Sequence, residues 1–158
     1  MKTAESGSSG SSANSYSPRK YISAKWTTLT ESSATTFCNI AVAAAKYAGV
    51  KMVCTVFASD GTDHQCVTSE IYVDAINKGG TITATLTQVD NTTAASTGTL
   101  TVTYTAVAVG TPHTSVDIKC NAVSSLTQTT LSCKWMIVAL NTSGTDSALT
   151  TNSIVTAS

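Results

Sequence analysis

The chain has 158 residues, enough for one domain with a substantial core and a tail or two. Its formal net charge is zero, 11% of residues are charged, and Arg19 is the sole arginine, so it lacks the basic footprint that binding to nucleic acid or to an anionic membrane surface requires. Ser and Thr make up roughly a third of the chain, yet hydrophobic residues reach 42%, which points to a strand-rich globular protein and not to a disordered one.

Residues 1–19 are rich in Ser and Gly, with Pro18 near the end, and cannot bury enough apolar surface to fold alone; they read as a flexible N-terminal arm. The opening "MKTAESGSSGSS" lacks the apolar core of a signal peptide, and the longest apolar run, "IAVAAA" at 40–45, is far too short to span a bilayer. Synthesis in a cytosol is therefore expected. From residue 20 the chain reads as strands separated by turns. Candidates are 20–29, 35–47, 50–59, 64–77, 81–89, 99–109, 114–123 and 129–140. "DGTD" at 60–63, "KGG" at 78–80 and "GTPH" at 110–113 are turn signals, and the polar 90–98 segment joins the fifth and sixth candidates. About eight strands at this spacing predict an antiparallel β-sandwich, jelly-roll or Ig-like, over 20–141. Residues 142–158 form a polar tail in which Ile154 and Val155 can add an edge strand.

Alternation assigns the strand faces. Val67, Ile71 and Val73, then Val116, Ile118, Cys120 and Ala122, then Leu131, Cys133, Trp135 and Ile137, each share one face and belong in the core. Two strands have an unusual second face. "TITATLT" at 81–87 and "GTLTVTYT" at 98–105 alternate apolar residues with Thr and put no charge among them. A row of Lys or Glu would forbid close packing; a Thr row tolerates both water and burial against another subunit. At least one of the two rows is expected at or near a subunit contact.

Catalytic and metal signals are weak. Asp60, Asp63 and His64 in "DGTDH" offer few of the six to eight oxygens that calcium takes, and the stretch reads better as a hairpin turn with Asp capping the backbone. Neither His64 nor His113 falls in a zinc-ligand pattern or pairs with a nucleophile in a recognisable motif, although Cys66 follows His64 on the same strand face. Glu70 and Asp74 would need a cleft to act as a glycosidase pair. No catalytic, cofactor or metal residue is assigned, and no enzyme activity is expected. The five cysteines (Cys38, Cys54, Cys66, Cys120 and Cys133) read as small apolar thiols; a hairpin centred near 126–127 would set Cys120 opposite Cys133, leaving a disulfide open there. Tyr16, Tyr21 and Trp26 lie where arm meets domain, to pack the arm down or to bind glycan.

The segments "LTESSATTFCNIAV" (29–42), "VFASDGTDHQ" (56–65), "DAINKGGTITAT" (74–85), "GTLTVTY" (98–104) and "NAVSSLTQTTL" (121–131) together resemble, in order and spacing, the small virion-surface β-domains of tailed bacteriophages, found in capsid decoration proteins, head fibres and tail-fibre tips. The resemblance covers about two-thirds of the chain and carries no catalytic motif. It implies a structural protein on the virion surface, homo-oligomeric with a trimer among the arrangements, held to the major capsid or tail protein by its N-terminal arm. Five cysteines depart from that pattern. The competing reading is a carbohydrate-binding module or adhesin for host-surface glycans. An ice-binding role for the Thr rows is disfavoured, because it needs the array repeated on many coils.

Overall fold

The structure, a computed structural model, describes residues 22–23, 27–142 and 155–157. It holds ten strands: β1 (Ile22–Ser23), β2 (Thr27–Thr28), β3 (Thr35–Ala41), β4 (Tyr47–Ser59), β5 (His64–Lys78), β6 (Thr81–Ala95), β7 (Leu100–Gly110), β8 (His113–Ser124), β9 (Thr130–Thr142) and β10 (Val155–Ala157). No described residue is helical. The first sheet runs β1-β9-β4-β5-β6, with β2 also on β9; the second runs β10-β3-β8-β7. Every pairing is antiparallel. The fold is an antiparallel β-sandwich, as the turn spacing predicts. Strands β4, β5 and β6 form a meander, and β9 returns through the other sheet to lie beside β4, which is a Greek-key order.

Alternation places the core as read from the sequence. Val67, Ile71 and Val73, the four residues on β8 and the four on β9 are all buried. Phe37 sits at the centre, its ring 6.0 Å from Tyr104 edge-on and 5.9 Å from Trp135, so aromatic side chains from both sheets interlock. Val155 does add an edge strand, pairing with Ile40 on β3.

Three local expectations differ from the structure. The predicted strand 35–47 stops at Ala41, the chain turns through 43–46, and β4 begins at Tyr47. Ala45 holds a φ of 60° there although it is not a glycine. A tertiary contact makes the turn: Ala45 N–H donates to the Asn77 carbonyl and Asn77 N–H to the Lys46 carbonyl. Next, β6 continues to Ala95 through most of the segment read as a connector, since a register shift opposite Thr68 and Ser69 lets Thr92–Ala95 stay paired with β5. Finally, β8 and β9 are not a hairpin. They lie in different sheets, so Cys120 and Cys133 meet across the core and not along a ladder. Both are free thiols.

Strand β5, next to the edge strand β6, carries a buried amide at each end. Gln65 donates to the Thr97 carbonyl (2.8 Å) and the Ser125 hydroxyl (2.9 Å) and accepts from the Ser124 hydroxyl (2.8 Å). Asn77 donates to the carbonyls of Val42 (2.8 Å) and His113 (2.9 Å) and accepts from Gly80 N–H (2.9 Å). Each amide ties β5 to loops of the facing sheet and closes one end of the sandwich. Lys78 and Thr81 are directly paired across Gly79 and Gly80, whose φ values of 60° and 87° are what a two-residue hairpin demands.

Candidate functional site

The sequence clusters resolve into turns and packing. In "DGTDH", Asp60 Oδ1 accepts from the N–H groups of Thr62 (2.9 Å) and Asp63 (2.7 Å), the turn-capping role expected of it. Those two bonds hold the Asp60 carboxyl below the usual carboxylate range. Asp63 Oδ1 accepts from the Ser96 hydroxyl at 2.7 Å, which itself accepts from His64 N–H. Sequence patterns pair neither histidine with a serine, yet Ser59 Oγ lies 2.8 Å from His64 Nδ1. That hydroxyl is buried and also accepts from Gly61 N–H, and the imidazole stacks on Phe57. The pair is woven into the hairpin and presents no open nucleophile. Among the described residues, no group of three His, Cys, Asp or Glu is arranged to hold a metal ion.

Glu70 and Asp74 stand on the outer face of β5, four residues and so about 13 Å apart, beyond the separation of a glycosidase pair. Glu70 is engaged with Lys51 (2.8 Å) and the Tyr72 hydroxyl (2.8 Å), which together hold its carboxyl below the usual range. Cys38, Cys54, Cys120 and Cys133 are fully buried. Burial and the nearby Asp117 carboxylate push the Cys38 thiol up to about 12. Cys120 is also raised, by its hydrogen bond with Cys133 and by burial. Cys133 rises despite the opposing effect of its bond with Cys120, because a bond to Cys54 and burial outweigh it. Such thiols are poor nucleophiles. Tyr16, Tyr21 and Trp26 lie outside the described residues, as do the arm and most of the tail.

Both Thr rows face outward. Thr81, Thr83, Thr85 and Thr87 on β6 are exposed, as are Thr101, Thr103 and Thr105 on β7. The topology adds what alternation could not: β6 and β7 are the edge strands of the two sheets, and they flank the same rim of the sandwich. Two side chains, among the described residues, bridge that rim. Gln88 donates from Nε2 to the Val102 carbonyl (2.9 Å) and accepts at Oε1 from Tyr104 N–H (3.2 Å), acting as one rung on the edge of β7. Ile82 N–H donates to His113 Nδ1 at 3.0 Å. Between them lie Ala84 and Leu86 on β6 and Ala106 and Ala108 on β7, inward-facing residues that remain only partly buried.

A second feature was not anticipated. A shallow groove of about 410 Å³ opens at one end of the first sheet, lined by Ala45, Lys46, Tyr47, Ile76 and Lys78. Tyr47 is 45% and Ile76 62% exposed. Tyr72 is also exposed on this face, but its ring lies under the Lys51 ammonium, 5.2 Å from the centroid. No sequence signal marked this groove, because the turn that builds it was read as strand.

No protein-family model matches the chain, and no curated protein matches it. Among solved structures it is similar to one titled "Crystal structure of Acinetobacter baumannii phage AM24 tailspike protein", at a TM-score of 0.41 and 12% identity, over 87% of this chain and 28% of that one. The chain thus spans well under a third of that protein's length.

Proposed function

We propose that the chain is a non-enzymatic structural protein of a phage virion. In this reading it decorates or extends from the capsid or tail, is made in the host cytoplasm, and works as a homo-oligomer held to the major capsid or tail protein by residues 1–19. The observation that carries it is the pair of exposed, uncharged Thr rows on the two edge strands of a β-sandwich. Such a surface stays hydrated on a free chain and can still be buried against a neighbour. Low overall charge supports the same reading by limiting repulsion among many closely spaced copies. The test is co-sedimentation of the purified chain with particles of its source phage, with and without residues 1–19. Saturable binding that is lost with the arm is the expected result. A chain that stays monomeric and does not bind the particles overturns the reading.

The groove beside Tyr47 favours a second reading, recognition of host-surface glycans, because an exposed aromatic next to lysines can stack on a sugar and hydrogen-bond its hydroxyls. A glycan array should then give a signal that Tyr47→Ala abolishes; no binder on the array removes this reading and leaves the first intact.

A further inference from the structure

We infer that β6 is a strand-addition site for a second copy of the chain, paired antiparallel about a two-fold axis at Thr85. This deepens the homo-oligomeric part of the proposed function and rests on it, but it does not depend on where the protein sits on a particle.

The inference begins with backbone direction. N–H and C=O of one residue in an antiparallel strand point to the same side, and successive residues alternate. Ile82 N–H leaves β6 for His113 and not for β5, so Ala84 and Leu86 also direct their backbone groups away from β5, into the open rim. No described group bonds them there. On β7 the same logic runs from Val102 and Tyr104, which Gln88 caps, to Ala106 and Ala108, which nothing described caps. The opposite rim differs: β1 and β2 cover β9 there, and β10 covers β3.

Natural edges are commonly blunted by lysines, prolines, inward charges or bulges. From Thr81 to Val89, β6 carries no charge and no proline, and its register with β5 stays regular until the shift at Ser69. The exposed row is self-complementary. Pairing about Thr85 sets Thr85 against its own copy and Thr83 against Thr87, so the central outer cross-strand pairs are Thr with Thr, and next outward Thr81 meets Val89, a pair as free of charge as the rest. In the same register Ala84 faces Leu86 of the other copy, and the two exchange both backbone hydrogen bonds, using the groups that the rim leaves open. The half-buried Ala84 and Leu86 side chains would be shielded as well. A charged partner would find no complementary charge here, and a partner rich in apolar residues would meet mostly hydroxyls on the outer face. A second copy satisfies both the backbone and the side chains.

The full chain, its Thr85→Lys and Ala84→Pro variants, and Thr103→Lys on the outer face of β7 would be compared by light scattering over a dilution series, with circular dichroism to verify the fold. Thr85→Lys brings two like charges into direct opposition across the axis, and Ala84→Pro removes a rim-facing N–H without touching the β5 ladder. Both should weaken self-association by at least about tenfold, and Thr103→Lys should not. If the native chain associates and Thr85→Lys associates equally well, the contact lies elsewhere: this inference falls and the assembly reading survives. A native chain that stays monomeric at the highest concentration reached also overturns it, and particle binding then decides the assembly reading separately. Should Ala84→Pro fail to fold, Thr85→Lys alone decides, since that side chain is exposed.

Discussion

Removing the amide of Asn77 should cost far more than its size suggests. The side chain is 1% exposed, and its three hydrogen bonds reach Val42, His113 and Gly80. The Val42 bond is buried, so in Asn77→Ala that carbonyl loses its donor without gaining water, at about 1–3 kcal/mol. The bonds to His113 and Gly80 are part-buried and can be partly rehydrated, at about 0.5–1.5 kcal/mol each. The sum centres on about 3–4 kcal/mol, a large share of the roughly 5–15 kcal/mol that holds an ordinary domain together. With an m-value of about 2 kcal/mol/M, the urea midpoint should fall by about 1.5–2 M. Fluorescence of the buried Trp135 can follow the transition, and the exposed Thr127→Ala, in the loop between β8 and β9, serves as the control, expected within about 0.5 kcal/mol of the native chain. A loss below about 1 kcal/mol for Asn77→Ala would mean that the turns are held by other contacts and that the role given to β5 is wrong.

The charged isostere sharpens the test. In Asn77→Asp one oxygen still accepts from Gly80, but the other faces the carbonyls of Val42 and His113 with nothing to donate. Burial and those carbonyls raise the folded pKa of the new carboxyl above its unfolded value. A group with a raised folded pKa contributes stability below its unfolded pKa and loses it as pH rises through the folded one. The variant should therefore approach the native chain in acid and fall away toward neutrality, and a pH-independent deficit would contradict the assigned hydrogen bonds.

Three other outcomes follow from the same contacts. Cys66 is the partly exposed thiol and the other four are fully buried, so a thiol reagent should modify one cysteine in the native state and the remaining four only on unfolding; two or more reacting rapidly would contradict the packing. Gly98→Ala should destabilise by about 2 kcal/mol or more, because φ is +65° and the new methyl would meet the Ser125 hydroxyl and the Gln65 amide; Gly61→Ala, at φ +97° with open space around it, should cost only the backbone share, and equal losses would refute the clash. Asp60→Asn keeps a turn-capping oxygen but no ionisation; since the Asp60 carboxyl is held low in the fold, its contribution is present at neutral pH and fades as pH falls, so the variant should flatten the acid limb of a stability–pH profile, and an unchanged limb would argue against those bonds.

The β8 and β9 faces were legible because burial follows period 2: β8 keeps that alternation throughout, and β9 keeps it from Leu131 to Ile137, before a register shift turns Leu140 and not Ala139 toward the core. What the sequence leaves dark is the sheet to which a strand belongs. "NAVSSLTQTTL" contains the same turn chemistry whether the chain folds back as a hairpin or crosses to the other sheet, so Cys120 and Cys133 look like ladder neighbours when they meet across the core. The turn at 43–46 was hidden for a related reason. Ala45 adopts a conformation usually left to glycine because Asn77, more than thirty residues away, bonds both sides of the turn, and no local signal records that contact. With the turn went the groove beside Tyr47. The Thr rows were visible as faces, but their meaning depends on strand order: an uncharged face at the middle of a sheet is only a surface, whereas on an edge strand it adjoins unpaired backbone.

The two rims of the sandwich set what kind of assembly this chain can form. Strand addition at both edges of a sheet propagates without limit, the geometry of fibres. Here very short edge strands, of a kind that blunts an edge, cover parts of one rim, β1 and β2 pairing with Ser132, Cys133, Met136 and Ile137 of β9 and β10 with Cys38–Ile40 of β3. The other is crossed by two side-chain links, Gln88 and His113, which satisfy a few groups and leave the span between them open. With the first rim blunted, the proposed pairing through β6 is isologous and ends with two copies per sheet. Larger symmetric assemblies would then have to be built from other surfaces, with this pair as a unit within them. If β6 pairs with its own copy as proposed, the same asymmetry limits edge-to-edge growth, because that pairing consumes the longest uncovered edge of the first sheet among the described residues.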